Sequence, residues 1–124
     1  MRRTFANSPA VAAADAYVET ISAGKFDAVA SLFTLDGLCL PADGQRYSGR
    51  DEIAAFYKRL GERGSLQMRR GLTCVSGAAV CMWVNEVERW SGHKGRALNV
   101  ITSDSSGLIE RLEIFLRPSL EGGS

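Results

Sequence analysis

Apolar residues recur at helical spacing in the first half of this chain and at two-residue spacing in the second. Val11, Ala14, Tyr17, Val18 and Ile21 form one stripe, with Asp15 and Glu19 off it. Ser8 followed by Pro9 supplies a hydroxyl cap and a residue with no N–H to leave unpaired, and Gly24 ends the pattern, so the spacing predicts a helix from Pro9 to Ala23. A second, shorter helix is predicted over Phe26 to Leu35, with Phe26, Val29, Ala30, Leu32 and Phe33 apolar, broken by Asp36 and Gly37. Leu38 to Leu40 reads as a short strand ended by Pro41, and Ala42-Asp43-Gly44 as a turn. A third helix is expected from Gly49 to Leu60, burying Ile53, Phe56, Tyr57 and Leu60, with Ser48 and Asp51 approximating a capping box.

From Ser65 onward the period becomes two. Strands are predicted over Leu66 to Val75, Ala79 to Trp90, Gly95 to Ser103 and Ile109 to Arg117, separated by Gly-containing turns at Gly77, Gly92 and Gly107. The second of these, AVCMWVNEVERW, contains no Pro or Gly and is about twice the usual strand length. Val80, Met82, Val84, Glu86 and Glu88 share one face; Ala79, Cys81, Trp83, Asn85, Val87 and Arg89 share the other. A strand this long accumulates twist, so the sheet coils and gains a concave side that helices or a pocket must fill. The fold class is α+β: helices on one face of an antiparallel meander with one early strand. The organisation expected is one domain over 1–124, with a loose arm at 1–7 and a flexible tail at 118–124.

Composition narrows the function. The chain has 124 residues, 45% apolar and 23% charged, with a net charge of +1. A chain of this size buries about two-thirds of its unfolded surface, and near-neutral interspersed charge argues against nucleic acid or an anionic membrane as partner. The opening MRRTFANSPAVAAADAY is interrupted by Asp15 and reads as a helix, not a signal peptide. Cys39, Cys74 and Cys81 lie in strand-like surroundings and read as buried reduced thiols of a cytoplasmic protein; a Cys74–Cys81 pair across the hairpin is the alternative. One histidine, His93, in a turn and three scattered cysteines make no metal-binding spacing, and no phosphate loop or nucleophile elbow is present, so no metal or other cofactor is expected. Two polar positions stand out. Tyr17 points inward and needs a partner for its hydroxyl, and Asn99 sits mid-strand, where its propensity is poor.

The element order, the opening AYVETISAGKFDAVASLF and the segment YSGRDEIAAFY resemble the nuclear transport factor 2-like superfamily, and within it the SnoaL-like and ketosteroid-isomerase-like proteins, over residues 9 to about 117. The resemblance implies a cone-shaped, cystatin-like α+β roll: three N-terminal helices packed on a strongly curved, mainly antiparallel sheet around a cavity. In ketosteroid isomerases, which are a standard case of pKa tuning, a helix tyrosine and a strand aspartic acid donate hydrogen bonds to the developing enolate, and a separate aspartate moves the proton. The tyrosine falls on Tyr17, the strand acid on Asn99, and the base on Pro41 with Ala42 beside it. Neither Pro41 nor Ala42 can take a proton. Glu86, on the face the resemblance turns toward the cavity, and Asp43, in the loop after Pro41, are the candidate substitutes. Phe33, Phe56, Met82 and Val84 are expected to line the cavity with Tyr17 and Asn99.

Two functions follow as expectations. The first is a cavity protein binding a small hydrophobic molecule without the usual isomerase base. The other is an isomerase, cyclase or hydrolase with Tyr17 and Asn99 as donors and Glu86 or Asp43 as acid–base. Turning Met82, Val84 and Asn99 inward leaves Trp83, Val87, Leu98 and Val100 on the outer face, where exposure of that size marks an interface. Relatives commonly dimerise through this sheet, so a two-fold homodimer with Trp83 at its centre is expected.

Overall fold

The computed structural model describes residues 8–116; the expected arm at 1–7 and the tail at 118–124 lie outside the described residues. The first helix, α1 (Pro9–Ser22), starts as its sequence predicts: Ser8 Oγ accepts from Val11 N at 3.3 Å and donates to Ala78 O at 3.1 Å. The cap therefore also ties the helix start to the turn between two strands. Ala10, Val11, Ala13, Ala14, Tyr17 and Ile21 are its buried residues, and Gly24, at φ 77°, carries the chain out of the helix.

The second helical stretch is realised as two 3₁₀ turns, Phe26–Ala28 and Ala30–Leu32, and strand β1 (Phe33–Leu40) begins five residues before the expected Leu38. β2 is a two-residue strand, Tyr47–Ser48. α2 (Arg50–Glu62) follows, and its N-cap is Gly49 at φ 85°, not Ser48. Ser48 contributes its backbone N–H to Glu52 Oε1 at 2.8 Å, and the Arg50 guanidinium donates twice to Phe33 O, at 2.7 and 2.9 Å, which pins the helix to β1.

The remaining strands are β3 (Leu66–Ser76), β4 (Val80–Arg89), β5 (Lys94–Ser103) and β6 (Ile109–Leu116). They form one six-stranded sheet in the order β2-β1-β6-β5-β4-β3. The last four make the expected antiparallel meander, while β1 pairs with β6 in parallel, through Cys39↔Leu112 among others. Register shifts in β1, in β3 between Arg70 and Thr73, and at Thr102/Ser103 bend the sheet. The result is the curved α+β cone expected from the sequence, with the helices on its concave side.

The two faces of β4 are the reverse of the sequence expectation. Cys81, Trp83 and Asn85 are fully buried, whereas Met82, Glu86 and Glu88 are exposed and Val84 is half-buried. The pairing explains the outcome. Trp83 lies directly opposite Asn99 on β5, and opposed residues of an antiparallel pair put their side chains on one face, so Asn99 cannot turn inward without Trp83. Val87 is likewise inward, packed against the core. Of the four residues expected on the outer face, only Leu98 and Val100 lie on the face opposite the core, and Trp83 and Val87 do not. The indole is the largest fully buried side chain; it packs edge-on to Tyr17 (centroids 6.4 Å apart) and donates from Nε1 to Asn85 Oδ1 at 2.6 Å. An aromatic of that size gains far more from burial than Met82 does.

The cysteines are all free. Cys39 and Cys81 are buried, but Cys74 is exposed, contrary to expectation. Cys74 pairs with Met82 and Val75 with Cys81, so Cys74 and Cys81 project from opposite faces of the sheet.

Candidate functional site

Between α2, the loop after β1 and the concave face of the sheet lies a cavity of about 400 Å3. Its inner end is built from α1, α2 and β5. The inward stripe of α1 presents Tyr17, one of the two buried residues of α2 presents Tyr57, and β5 presents Asn99; each of the three is no more than 1% exposed. The partner that buried Tyr17 required is Tyr57: their hydroxyl oxygens are 2.7 Å apart, and Tyr57 Oη is 3.7 Å from Cys39 Sγ on β1. Burial pushes both phenols up in pKa, with the neighbouring ionisable groups adding to the effect on Tyr57, and pushes the Cys39 thiol up to about 11. All three are thus neutral at physiological pH and serve as donors and acceptors, not as bases or thiolate nucleophiles. Either direction of proton donation satisfies the Tyr17–Tyr57 pair. When Cys39 donates to Tyr57 and Tyr57 to Tyr17, the Tyr17 proton is left for a bound molecule.

Asn99 Nδ2 donates to Ala97 O at 3.4 Å, and its Oδ1 has no partner among the described residues. A buried carbonyl oxygen left unpaired costs about 1–3 kcal/mol, and a bound donor removes that cost. The walls are apolar: Pro41 and Ala42, Phe56 and Leu60 from α2, Leu66 and Met68 from β3, Val87 and Trp90, and Ile114 and Leu116 from β6. Tyr47 stacks on Phe56 with centroids 4.7 Å apart, and Phe56 meets Tyr57 edge-on at 4.9 Å, so one aromatic row runs from the mouth to the inner hydroxyls. Asp43, Arg59, Arg63 and Arg89 stand at the mouth.

Of the residues singled out in the sequence, Tyr17, Asn99, Asp43 and Phe56 meet at this cavity. Phe33 is wholly buried in the core and is not in the lining. Met82, Val84 and Glu86 are on the opposite side of the sheet, as the register of β4 requires. Glu86 is exposed there and ion-paired with Arg69, whose hydrogen bond and charge hold its carboxyl below the usual range. It is a solvated strand residue with no access to the cavity. Asp43 is exposed, and its Oδ1 accepts from Gln45 N at 2.8 Å in the turn after Pro41. Tyr57 is legible in the sequence as a buried position of α2, but its pairing with Tyr17 is not. The cluster of arginines at the mouth carries no sequence signal, because the end of α2, which supplies Arg59 and Arg63, and the end of β4, which supplies Arg89, are brought together only by the fold.

No family model and no curated protein matches this sequence. Solved structures do match in fold. The epoxide hydrolase/cyclase-like enzyme SalBIII, of pyran ring formation in the polyether salinomycin, superposes with a TM-score of 0.75 at 16% identity over 86% of this chain and 89% of its own. A candidate SnoaL-like polyketide cyclase from Shewanella putrefaciens superposes with a TM-score of 0.72 at 9% identity, over 84% of this chain and 77% of its own. A computationally designed binder of 17-OHP superposes with a TM-score of 0.77 at 18% identity, covering 92% of this chain and 96% of its own. Among the described residues no helix is long and apolar enough to cross a membrane.

Proposed function

Because the chain has the SnoaL-like, nuclear transport factor 2-like fold, we propose that it is a small-molecule-binding protein whose cavity takes an apolar, ring-bearing ligand. The observation that carries this reading is the lining. Aromatic and aliphatic walls lead to two neutral tyrosine hydroxyls and an amide at the inner end, and Pro41, the position to which the resemblance assigns an isomerase's base, is part of the wall. A few polar groups at the end of an apolar pocket fix orientation without supplying a proton carrier.

Progesterone, a neutral polycyclic ketone, is the test probe. It is expected to quench Trp90, which is in the lining, with a dissociation constant in the range of about 1–100 μM, corresponding to roughly 5–8 kcal/mol. Ala97→Phe fills the same space and is expected to weaken binding more than ten-fold while leaving the circular dichroism spectrum unchanged. Equal binding of progesterone by the two proteins, or binding of neither progesterone nor a ring-bearing acid by the native chain, overturns the reading. One observation favours an enzyme instead: Asp43 is a carboxylate in the lining. On that reading Tyr17 and Asn99 orient a carbonyl and Asp43 moves the proton, and turnover abolished by Asp43→Asn with binding intact would establish it.

The proposal extends to assembly through the convex face. Met82 and Phe115 are exposed there, and the register sets Met82 beside Val100 and Leu98 between Val84 and Phe115 as one apolar patch. A two-fold dimer burying this patch places Met82 and Phe115 at its centre, in place of Trp83. Light scattering is expected to give twice the 13.4 kDa chain mass for the native protein and the single mass for Met82→Lys/Phe115→Lys. A native mass of one chain at micromolar concentration refutes the dimer.

A further inference from the structure

The cavity is electrically lopsided, and this points to its ligand. At the mouth stand three guanidinium groups, Arg59, Arg63 and Arg89, against one carboxylate, Asp43. Arg59 and Arg63 are one helical turn apart at the end of α2, and Arg89 ends β4 on the other side. All three are exposed, and among the described residues none is in an ion pair. Three other arginines of the sheet, Arg69, Arg70 and Arg111, each hold a carboxylate, those of Glu86, Asp15 and Glu113, whereas Arg96 on β5 is exposed and, among the described residues, in no ion pair. Arg59 lies over the Tyr47 ring, 5.9 Å from its centroid, at the outer end of the aromatic row.

The inner end has the opposite character. It holds neutral hydroxyls and the unpartnered Asn99 Oδ1, itself in a residue 1% exposed. A carbonyl oxygen repels an anion and accepts from a hydroxyl or an N–H. A ligand that satisfies both ends has an apolar ring body, a hydroxyl or N–H directed inward to Asn99, and an acidic group held outward among the arginines.

We infer that the cavity selects an amphipathic acid with a hydrogen-bond donor at the end remote from its carboxylate, bound acid-outward. This rests on the ligand-binding reading above and names the class of ligand within it. Guanidinium groups suit planar carboxylates, and because these are solvent-exposed, their contribution is a screened, salt-dependent preference.

Isothermal titration calorimetry on the full chain tests it with three probes: a naphthoate bearing a hydroxyl on the ring carbon farthest from the carboxylate, the carboxamide of that compound, and the naphthoate without the hydroxyl. At low ionic strength the hydroxy acid is expected to bind about ten-fold more tightly than its amide, and the advantage is expected to collapse at about 1 M salt, where the screening length falls to about 3 Å. Arg63→Gln/Arg89→Gln is expected to remove most of the acid's advantage over the amide. Loss of the hydroxyl is expected to weaken binding several-fold in the native chain and not in Asn99→Leu. Equal binding of acid and amide, a preference that survives the double arginine change, or indifference to the hydroxyl overturns the inference and leaves the ligand-binding reading standing. Failure of all three probes, together with progesterone, removes both.

Discussion

Trp83→Ala is expected to destabilise the protein by about 4 kcal/mol, the range for truncating a buried aromatic. The side chain is fully buried against Tyr17, and its Nε1 donates to Asn85 Oδ1. Truncation therefore opens a void in the middle of the sheet and strips the donor from an amide that is itself fully buried. Met82→Ala, one residue away on the exposed face, is expected to cost less than about 1 kcal/mol in the same urea titration. The contrast is the measurement. If Trp83→Ala unfolds like the native chain and changes only its oligomeric state, the indole is on the outer face and Cys81, Trp83 and Asn85 do not point into the core.

The second large effect is alkaline. Tyr17, Tyr57 and Cys39 are buried in one hydrogen-bonded group, and all three have pKa values above those of the unfolded chain. A raised acid pKa means that the unfolded state releases its proton first. The associated stability is complete below the unfolded value and is lost as pH rises toward the folded one. For Cys39 the window opens near its ordinary value of 9.0 and extends to about 11. Loss across it is about 2 kcal/mol by pH 11 from this thiol alone, and the two phenols add to it above their ordinary value of 10.0. Urea midpoints are therefore expected to be flat from neutral pH to about 9 and to fall steeply beyond. Cys39→Ser/Tyr57→Phe, which leaves Tyr17 as the one phenol of this buried group, is expected to show a shallower fall. An equally steep fall in that variant would place the alkaline transition elsewhere.

What the sequence discloses follows from which signals are local. Ser8, Pro9 and Gly24 punctuate α1 within a few residues, and the meander follows from turns at Gly77, Gly92 and Gly107, so these elements are legible. The faces of β4 are not. Val80, Met82 and Val84 are as apolar as Cys81, Trp83 and Val87, and alternation alone does not choose between two apolar faces. Pairing with Asn99 decides it, and pairing is a long-range fact. Choosing the wrong face carries Glu86 into the cavity and Trp83 out of the core together. The sequence makes β1 too short because Phe33 to Leu35 continues a helix-like apolar run. Parallel pairing with β6, many residues downstream, makes this segment a strand. At the site, Tyr17 is evident because an inward tyrosine demands a partner, whereas the arginine mouth is assembled only by the fold.

The parallel β1–β6 pair also sets the order in which the molecule is completed. The antiparallel strands β3 to β6 join neighbours through short turns, but β1 finds its partner only when Ile109 to Leu112 are in place, because Phe33 registers with Ile109 and Cys39 with Leu112. Such a closure carries a large entropic cost before any contact is gained. Pro41, Ala42 and Asp43 directly follow β1, so one wall of the cavity waits on the last strand of the sheet. During synthesis from the N-terminus, the helices and strands β3 to β5 are made before β6, which supplies the partner of β1 and the lining residues Ile114 and Leu116. A chain that ends before β6 lacks one wall of the cavity and the strand that holds β1 in place.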